Sequence, residues 1–143
     1  MALYATMAEM IARFGEHDLM LLTERANSTP GQINTPVLDQ AIADASAEID
    51  GFLAGRYTLP LTTVPPILER ICCDIARFYL GSDNAPEVIE KRYDIAIAYL
   101  KDVGTGKLSL GVNDTGEKAE SSITAVMESA GSVFARDKSK GFI

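Results

Sequence analysis

The sequence has 143 residues, of which 47% are hydrophobic and 23% charged, a size and composition that suit one globular domain with a buried core. Its 20 acidic and 13 basic side chains give a formal charge of −7. This charge argues against a freestanding nucleic-acid binder or a protein that adheres to anionic lipid, because both need clustered Lys and Arg. The N-terminus lacks a secretory pattern and no apolar run approaches the ~20 residues that span a bilayer, so we expect no membrane association and a cytoplasmic protein.

Two short helices are predicted near the N-terminus. Thr6 and Glu9 have the spacing of a capping box, in which the threonine caps the helix and the glutamate reaches back to it. Apolar residues at helical spacing continue to Phe14, and Gly15 ends this helix. A second short helix is expected to end at about Thr23.

The first long helix is predicted from Thr35 to Gly55. Thr35 is a good N-cap residue, and Pro36 suits the first helical position because the N–H that it lacks would be unpaired there. Gly51 interrupts the helical pattern at a cost of ~1 kcal/mol relative to alanine. Either the close approach of another backbone or a tolerated defect would explain it. Beyond Gly55 we expect a corner and a short extended segment that Pro60 closes.

Two further long helices complete the predicted body. A pair of prolines starts one helix over residues 67–80, and Pro86 lies near the first turn of the next, which Gly104 ends. The sequence therefore predicts an all-α fold, with three main helices and short N-terminal helices packed in a small bundle over residues 1–104. An extended C-terminal arm is expected over residues 105–143.

The predicted arm carries apolar residues on a polar background. Phe134 and Phe142 stand among charged residues that include Arg136 and Asp137. A disordered tail normally avoids large apolar side chains. We therefore expect the arm to dock onto a groove or a neighbouring subunit through these four residues.

No pattern in the sequence predicts a catalytic, cofactor or metal site. His17, the single histidine, follows a helix-ending glycine and is expected to be a solvated loop residue. Asp44 and Glu48 share a helical face and would suit Mg²⁺ binding or acid–base chemistry, but such a row is more often a solvated face. Adjacent residues on a helix point ~100° apart, so we expect Cys72 and Cys73 to be reduced and buried, rather than a disulfide or a soft-metal site.

Four residues of the body are candidate contact residues between subunits. Arg70 and Arg77 lie on one stripe of their helix with Asp74 between them. Local ion pairs on the helix surface are one interpretation, and pairing between subunits is the other, because arginine is favoured at interfaces. Arg56 and Tyr57 form the corner after the first long helix, where packing into the core and contact with a partner are equally open.

Motifs spread over nearly the whole chain resemble those of one family. The motifs are Arg13-Phe14-Gly15, Gly55-Arg56-Tyr57-x-Leu59-Pro60-Leu61, Val64-Pro65-Pro66, Cys73-Asp74-Ile75-Ala76-Arg77 and Phe134-x-Arg136-Asp137-x-x-x-Gly141-Phe142. In these residues the chain resembles the small neck proteins of Mu-like phages and prophages, relatives of the head–tail connector adaptors of tailed phages.

The resemblance implies a structural protein of the virion, not an enzyme, with no cofactor. Subunits would form a ring, expected to be twelvefold, that lies beneath the portal vertex and joins the head to the tail. The implied partners are further copies of the chain, the portal protein and a tail-side connector or tail terminator protein, brought together in the host cytoplasm. Genome DNA would pass through the channel without sequence-specific binding, and an acidic wall would repel its phosphates.

Two other functions remain open from the sequence. One is a helical protein–protein interaction or regulatory domain without enzymatic activity, which would bind its partner through the segment 134–142. The other is a small enzyme that uses the carboxylates of Asp44 and Glu48.

Overall fold

The computed structural model describes residues 3–81 and 84–111. Within them five α-helices follow one another without a strand, which confirms the predicted all-α fold. The helices are α1 (Met7–Phe14), α2 (Glu16–Thr23), α3 (Thr35–Leu53), α4 (Pro66–Gly81) and α5 (Glu87–Gly104). The division of the chain at residue 104 stays a prediction, and residues 112–143, which make up most of the predicted arm, lie outside the described residues.

Local hydrogen bonds explain where the first helices start. The capping box of α1 is confirmed, since Oε1 of Glu9 accepts from the backbone N–H of Thr6 at 2.7 Å and the Thr6 hydroxyl accepts from the N–H of Glu9 at 3.4 Å. The cap of α3 lies one residue earlier than predicted, at Asn34. The backbone N–H of Asn34 donates to the hydroxyl of Thr23 at 3.0 Å, which holds this residue in an extended conformation outside the helix.

Helix α4 is the central element of the body. It packs most extensively against α3 and α5, and it also contacts α1 and α2. Its two cysteines are free thiols and fully buried, as predicted. The centre of the core consists of fully buried aliphatic side chains, each of which stabilises the fold by ~1.5–3 kcal/mol. These include Leu38, Ile49, Leu53, Leu68, Ile71, Ile75, Leu100 and Val103.

Buried polar groups in the described residues tie the N-terminal segment and α2 to α3. The hydroxyl of Ser46 accepts from the backbone N–H of Tyr4 at 3.1 Å. The phenol of Tyr4 donates to the carboxylate of Asp50, so both the backbone and the side chain of Tyr4 are bound to α3. The hydroxyl of Thr23 donates to the carbonyl of Leu19 at 2.7 Å, which leaves it able to accept from the start of α3.

The close backbone approach occurs at a different glycine from the one singled out in the sequence. A Cβ atom built on Gly51 has nothing within 4 Å, so this exposed position tolerates glycine without any packing need for it. A Cβ atom built on Gly104 lies 2.8 Å from the carbonyl oxygen of Phe52. The end of α5 therefore packs against the last turn of α3 at a distance that only glycine allows without a shift.

Candidate functional site

Arg56 makes its hydrogen bonds within the chain. Its Nη1 atom donates to the carbonyl oxygen of Val103 at 2.8 Å and to that of Leu108 at 2.9 Å. These acceptors lie in the last turn of α5 and in the segment that follows it. Carbonyls at a helix end have no hydrogen-bond partner within the helix. The guanidinium of Arg56 therefore caps the C-terminus of α5, and it also binds the start of the following segment to the corner after α3.

Tyr57 lies in the core, with only 4% of its surface exposed. Its hydroxyl accepts from the backbone N–H of Leu110 at 3.2 Å. The guanidinium carbon of Arg56 lies 5.1 Å from the centre of the Tyr57 ring, within the range of a cation–π contact. In the described chain, this corner therefore holds residues 105–110 against the helical body.

Arg70 and Arg77 have different surroundings despite their shared helical stripe. Arg70 is exposed, whereas Nη1 of Arg77 is buried and has no hydrogen-bond partner in the described part of the chain. Burial lowers the pKa of Arg77, and the charge of Asp18 opposes that shift. Of the local ion pairs that the sequence left open, the one between Asp74 and Arg77 does not form: their groups do not come within 4.0 Å, and Arg77 lies instead against Gly81.

Arg70 belongs to a surface cleft of about 340 Å³ between α1, α4 and α5, which we call the arginine cleft. Three guanidinium groups and one carboxylate line it, and Glu69 pairs with one of the arginines, Arg13, so the cleft is cationic on a strongly acidic chain. Its lining residues are Arg13, Phe14, Arg70, Asp74, Arg92, Ile95 and Ala96.

The three arginines of the cleft lie around Asp74, but none of them forms an ion pair with it. Burial raises the pKa of Asp74, and the charges of Arg70, Arg92 and Arg13 act in the opposite direction. In the described chain, Asp74 makes no ion pair within 4.0 Å, nor do Arg70 and Arg92. Arg13 has a partner elsewhere, since its Nη2 atom lies 3.4 Å from the carboxylate of Glu69. The cleft therefore offers guanidinium groups to a carboxylate from outside.

An apolar side chain stands on the same surface. Ile95 on α5 is 65% exposed although it lines the cleft, and Val88, two turns earlier on the same helix, is 57% exposed. Arg92 lies between them in the sequence, one helical turn from each. Phe14 adds a half-buried ring from the end of α1. Guanidinium groups beside exposed apolar side chains are the composition that protein interfaces favour.

Sequence reasoning identified Arg70 but missed Arg13 and Arg92, the two other cations of the cleft. Each is a single arginine on its own helix; Arg13 belongs to the motif Arg13-Phe14-Gly15, but nothing local to either residue indicates a cationic cleft. One signal was available: Val88 and Ile95 place two aliphatic residues on the helix stripe that also carries Arg92, and such a stripe is unusual on a solvated face.

Of the remaining residues singled out in the sequence, four belong to the predicted arm and one is the single histidine. Phe134, Arg136, Asp137 and Phe142 lie outside the described residues. His17 is exposed, and it lies in the first turn of α2 and not in a loop.

The acidic row of α3 is bound within the chain. Asp44 accepts a hydrogen bond from the side-chain amide of Gln40 at 2.8 Å, and Glu48 accepts one from the phenol of Tyr79. Over residues 3–81 and 84–111, no group of three or more His, Cys, Asp or Glu side chains is arranged to hold a metal ion. None of the helices in that part of the chain is both long and apolar enough to cross a membrane.

Fold and cleft together define a small all-α protein with an arginine-lined surface cleft. The sequence profile of the family described as Bacteriophage Mu, Gp36 matches residues 4–129. The chain is 43% identical over 144 residues to the Mu-like prophage FluMu protein gp36 of Haemophilus influenzae, with 100% of both chains covered. It is 42% identical over 141 residues to Gene product J of Escherichia phage Mu, covering 98% of this chain and 99% of that protein. The chain belongs to the phage Mu Gp36 family, which confirms the phage part of the resemblance.

Proposed function

We propose that the chain is a structural subunit of the phage neck, which completes the head and connects it to the tail. Copies would form a ring beneath the portal, with the portal protein on one side and a tail-side connector or tail terminator protein on the other. Genome DNA would pass through the channel without sequence-specific binding. The protein would act without catalysis or a cofactor, assembling in the host cytoplasm and remaining in the virion.

The observation that carries this proposal is the arginine cleft on an acidic monomer. A subunit whose only task is to join other proteins needs a surface with both charge and exposed apolar groups, which Arg92 and Ile95 provide. Membership of a phage family supports a role in the phage particle. A net charge of −7 also suits a channel wall from which DNA phosphates are repelled.

Deletion of the gene from an inducible Mu-like prophage tests the proposal. We expect induced cells to accumulate separate heads and tails in electron micrographs, and the yield of infectious particles to fall to background. Expression of the intact chain from a plasmid should restore joined particles. Normal head–tail joining after deletion would exclude the neck role.

A second arm of the experiment tests the cleft. A chain carrying Arg70→Glu and Arg92→Glu should fold but fail to restore joining, because both changes replace the cleft's cations with carboxylates. Lys101→Glu makes one such charge reversal on the side of α5 opposite Arg92, and it should restore joining as the intact chain does. Thermal unfolding of the purified variants checks that each is folded.

A further inference from the structure

The arginine cleft is the surface of the described chain whose composition best suits the binding of a partner protein. It contains Arg70 and Arg92, which make no ion pair within 4.0 Å in the described chain. Clustered guanidinium groups repel one another; Glu69 offsets the charge of Arg13, and Asp74 offsets one of the other two. Carboxylates from a second surface would relieve that repulsion and gain charge-assisted hydrogen bonds, which are among the stronger polar contacts in proteins.

The partner surface must also bring an apolar side chain. Ile95 is 65% exposed on the cleft's edge, with the ring of Phe14 on the α1 side of the same cleft. Nucleic acid fits this combination poorly, because the aliphatic side chain has no counterpart on a phosphate backbone and Asp74 repels phosphate. An acidic helix with one exposed aliphatic residue fits both the charges and the apolar edge.

The chain itself carries such a helix surface. Leu21 on α2 is 59% exposed. Among the described residues, the large exposed hydrophobic side chains that lie on helices are Leu21, Val88 and Ile95, and of these Leu21 is the one outside α5. Asp18 lies one helical turn before it, and Glu24 is the C-cap that directly follows α2; both are exposed, although the charge of Asp18 also acts on Arg77 of its own chain. This surface of α2 therefore presents an aliphatic side chain between two carboxylates, the complement of Ile95 beside Arg92.

We infer that the arginine cleft of one copy receives the α2 surface of a second copy. Leu21 of the second copy packs against Ile95 and Phe14, while Asp18 and Glu24 lie beside the arginines. The two surfaces are different parts of the molecule, so the contact is head-to-tail and adds copies in series, which is how rings form when the rotation closes. The inference rests on the proposal that the chain works as an assembled neck subunit.

Photocrosslinking inside cells tests this contact in the full chain. The photoreactive amino acid p-benzoylphenylalanine replaces Ile95 in a plasmid-borne chain, expressed during induction of a prophage that lacks the gene. Irradiation should give a band at twice the mass of the chain, and mass spectrometry should find the cross-link within residues 16–24. The same amino acid at Glu90, on the other side of α5, is the control and should give no such band.

A charge swap tests the ion pairs. Arg92→Glu should reduce the doubled band about tenfold, a typical effect of reversing a charge in a close interfacial pair. Combining Arg70→Glu and Arg92→Glu with Asp18→Arg and Glu24→Arg should restore most of the band, because both unpaired cations of the cleft and both carboxylates are then reversed. Thermal unfolding checks that this chain is folded. Lys101→Glu should leave the band unchanged.

The outcomes separate this inference from the proposed function. A cross-link within residues 16–24 together with rescue by the charge swap supports the contact. A cross-link from Ile95 to another part of the chain, to a different protein or to DNA overturns it, as does a charge-swapped chain that performs no better than Arg92→Glu. In those cases the neck role stands if deletion of the gene still blocks head–tail joining, whereas normal joining after deletion removes the neck role itself.

Discussion

Replacing Gly104 with alanine should destabilise the protein, because α5 meets α3 at this residue. A Cβ atom there lies 2.8 Å from the carbonyl oxygen of Phe52, whereas ordinary contacts begin at 3.4 Å. The atom in the way belongs to the backbone of a helix, so it cannot rotate aside as a side chain would. The two helices must separate by several tenths of an ångström, which also stretches the hydrogen bond from Arg56 to the carbonyl of Val103.

The magnitude follows from two opposing effects. Overpacking at a close contact costs ~1–3 kcal/mol. Alanine recovers part of this, because glycine in a helix interior is ~1 kcal/mol worse than alanine, and less than that at the last residue of a helix. We therefore expect Gly104→Ala to lower the free energy of unfolding by about 1–2 kcal/mol, which corresponds to a fall in Tm of roughly 3–8 °C for a chain of this size.

Gly51→Ala is the matched control for this prediction. It makes the same chemical change inside α3, where a Cβ atom meets nothing within 4 Å, and it should raise the free energy of unfolding by about 1 kcal/mol. Urea unfolding followed by far-ultraviolet circular dichroism measures both variants. If Gly104→Ala is as stable as the parent chain or more stable, α3 and α5 do not approach as described. A destabilising Gly51→Ala would show that alanine does not stabilise α3 relative to glycine at this position.

Three further variants test local features of the fold by the same unfolding measurement. Thr6→Ala removes the exposed cap of α1 and should cost ~0.5–1 kcal/mol, and an unchanged midpoint would mean that the cap contributes nothing. Tyr57→Phe leaves the buried N–H of Leu110 without its acceptor and should cost ~1–2 kcal/mol, whereas a neutral result would show that another group replaces the phenol. Burial raises the pKa of Cys73 to about 12, so the folded chain keeps a proton that the unfolded chain loses above its pKa of about 8.5. Stability should therefore fall as the pH rises from about 8.5 toward 12, and Cys73→Ala should reduce that slope; an equal slope in both chains would contradict the raised pKa.

The sequence predicted those features that depend on neighbours along the chain. The capping box of Thr6 and Glu9 formed because its groups lie three residues apart on one turn. The positions of the three main helices followed from apolar spacing and from punctuation by proline and glycine, which act locally. The N-cap of α3 is Asn34 and not Thr35, because a hydrogen bond to Thr23, eleven residues earlier, fixes Asn34 outside the helix. Such a contact does not alter the spacing of apolar residues, so the sequence pattern does not show it.

The cleft could not be predicted because tertiary packing creates it. Arg13, Arg70 and Arg92 come from three helices, and only the packing of α1 and α5 against α4 brings them together. The same packing explains why an ion pair that helical spacing allows for Arg77 does not form. Helical spacing allows an ion pair between Asp74 and Arg77. In the structure Arg77 lies against Gly81, and Asp74 lies among cations of different helices.

The arrangement of cations in the cleft also predicts a trade-off between stability and association. Arg92 lines the same cleft as Arg70 and Arg13 and makes no ion pair within 4.0 Å in the described chain, so repulsion from those cations is not offset by a carboxylate at ion-pair distance. Arg92→Gln keeps a polar side chain of similar reach and removes that repulsion, and the isolated variant should be at least as stable as the parent chain in urea. The same variant should restore head–tail joining less well than the intact chain, because it removes a positive charge that would pair with a carboxylate of the partner. A variant that loses stability while joining heads to tails normally would show that Arg92 serves the fold of its own chain and that the cleft's charge has no part in assembly.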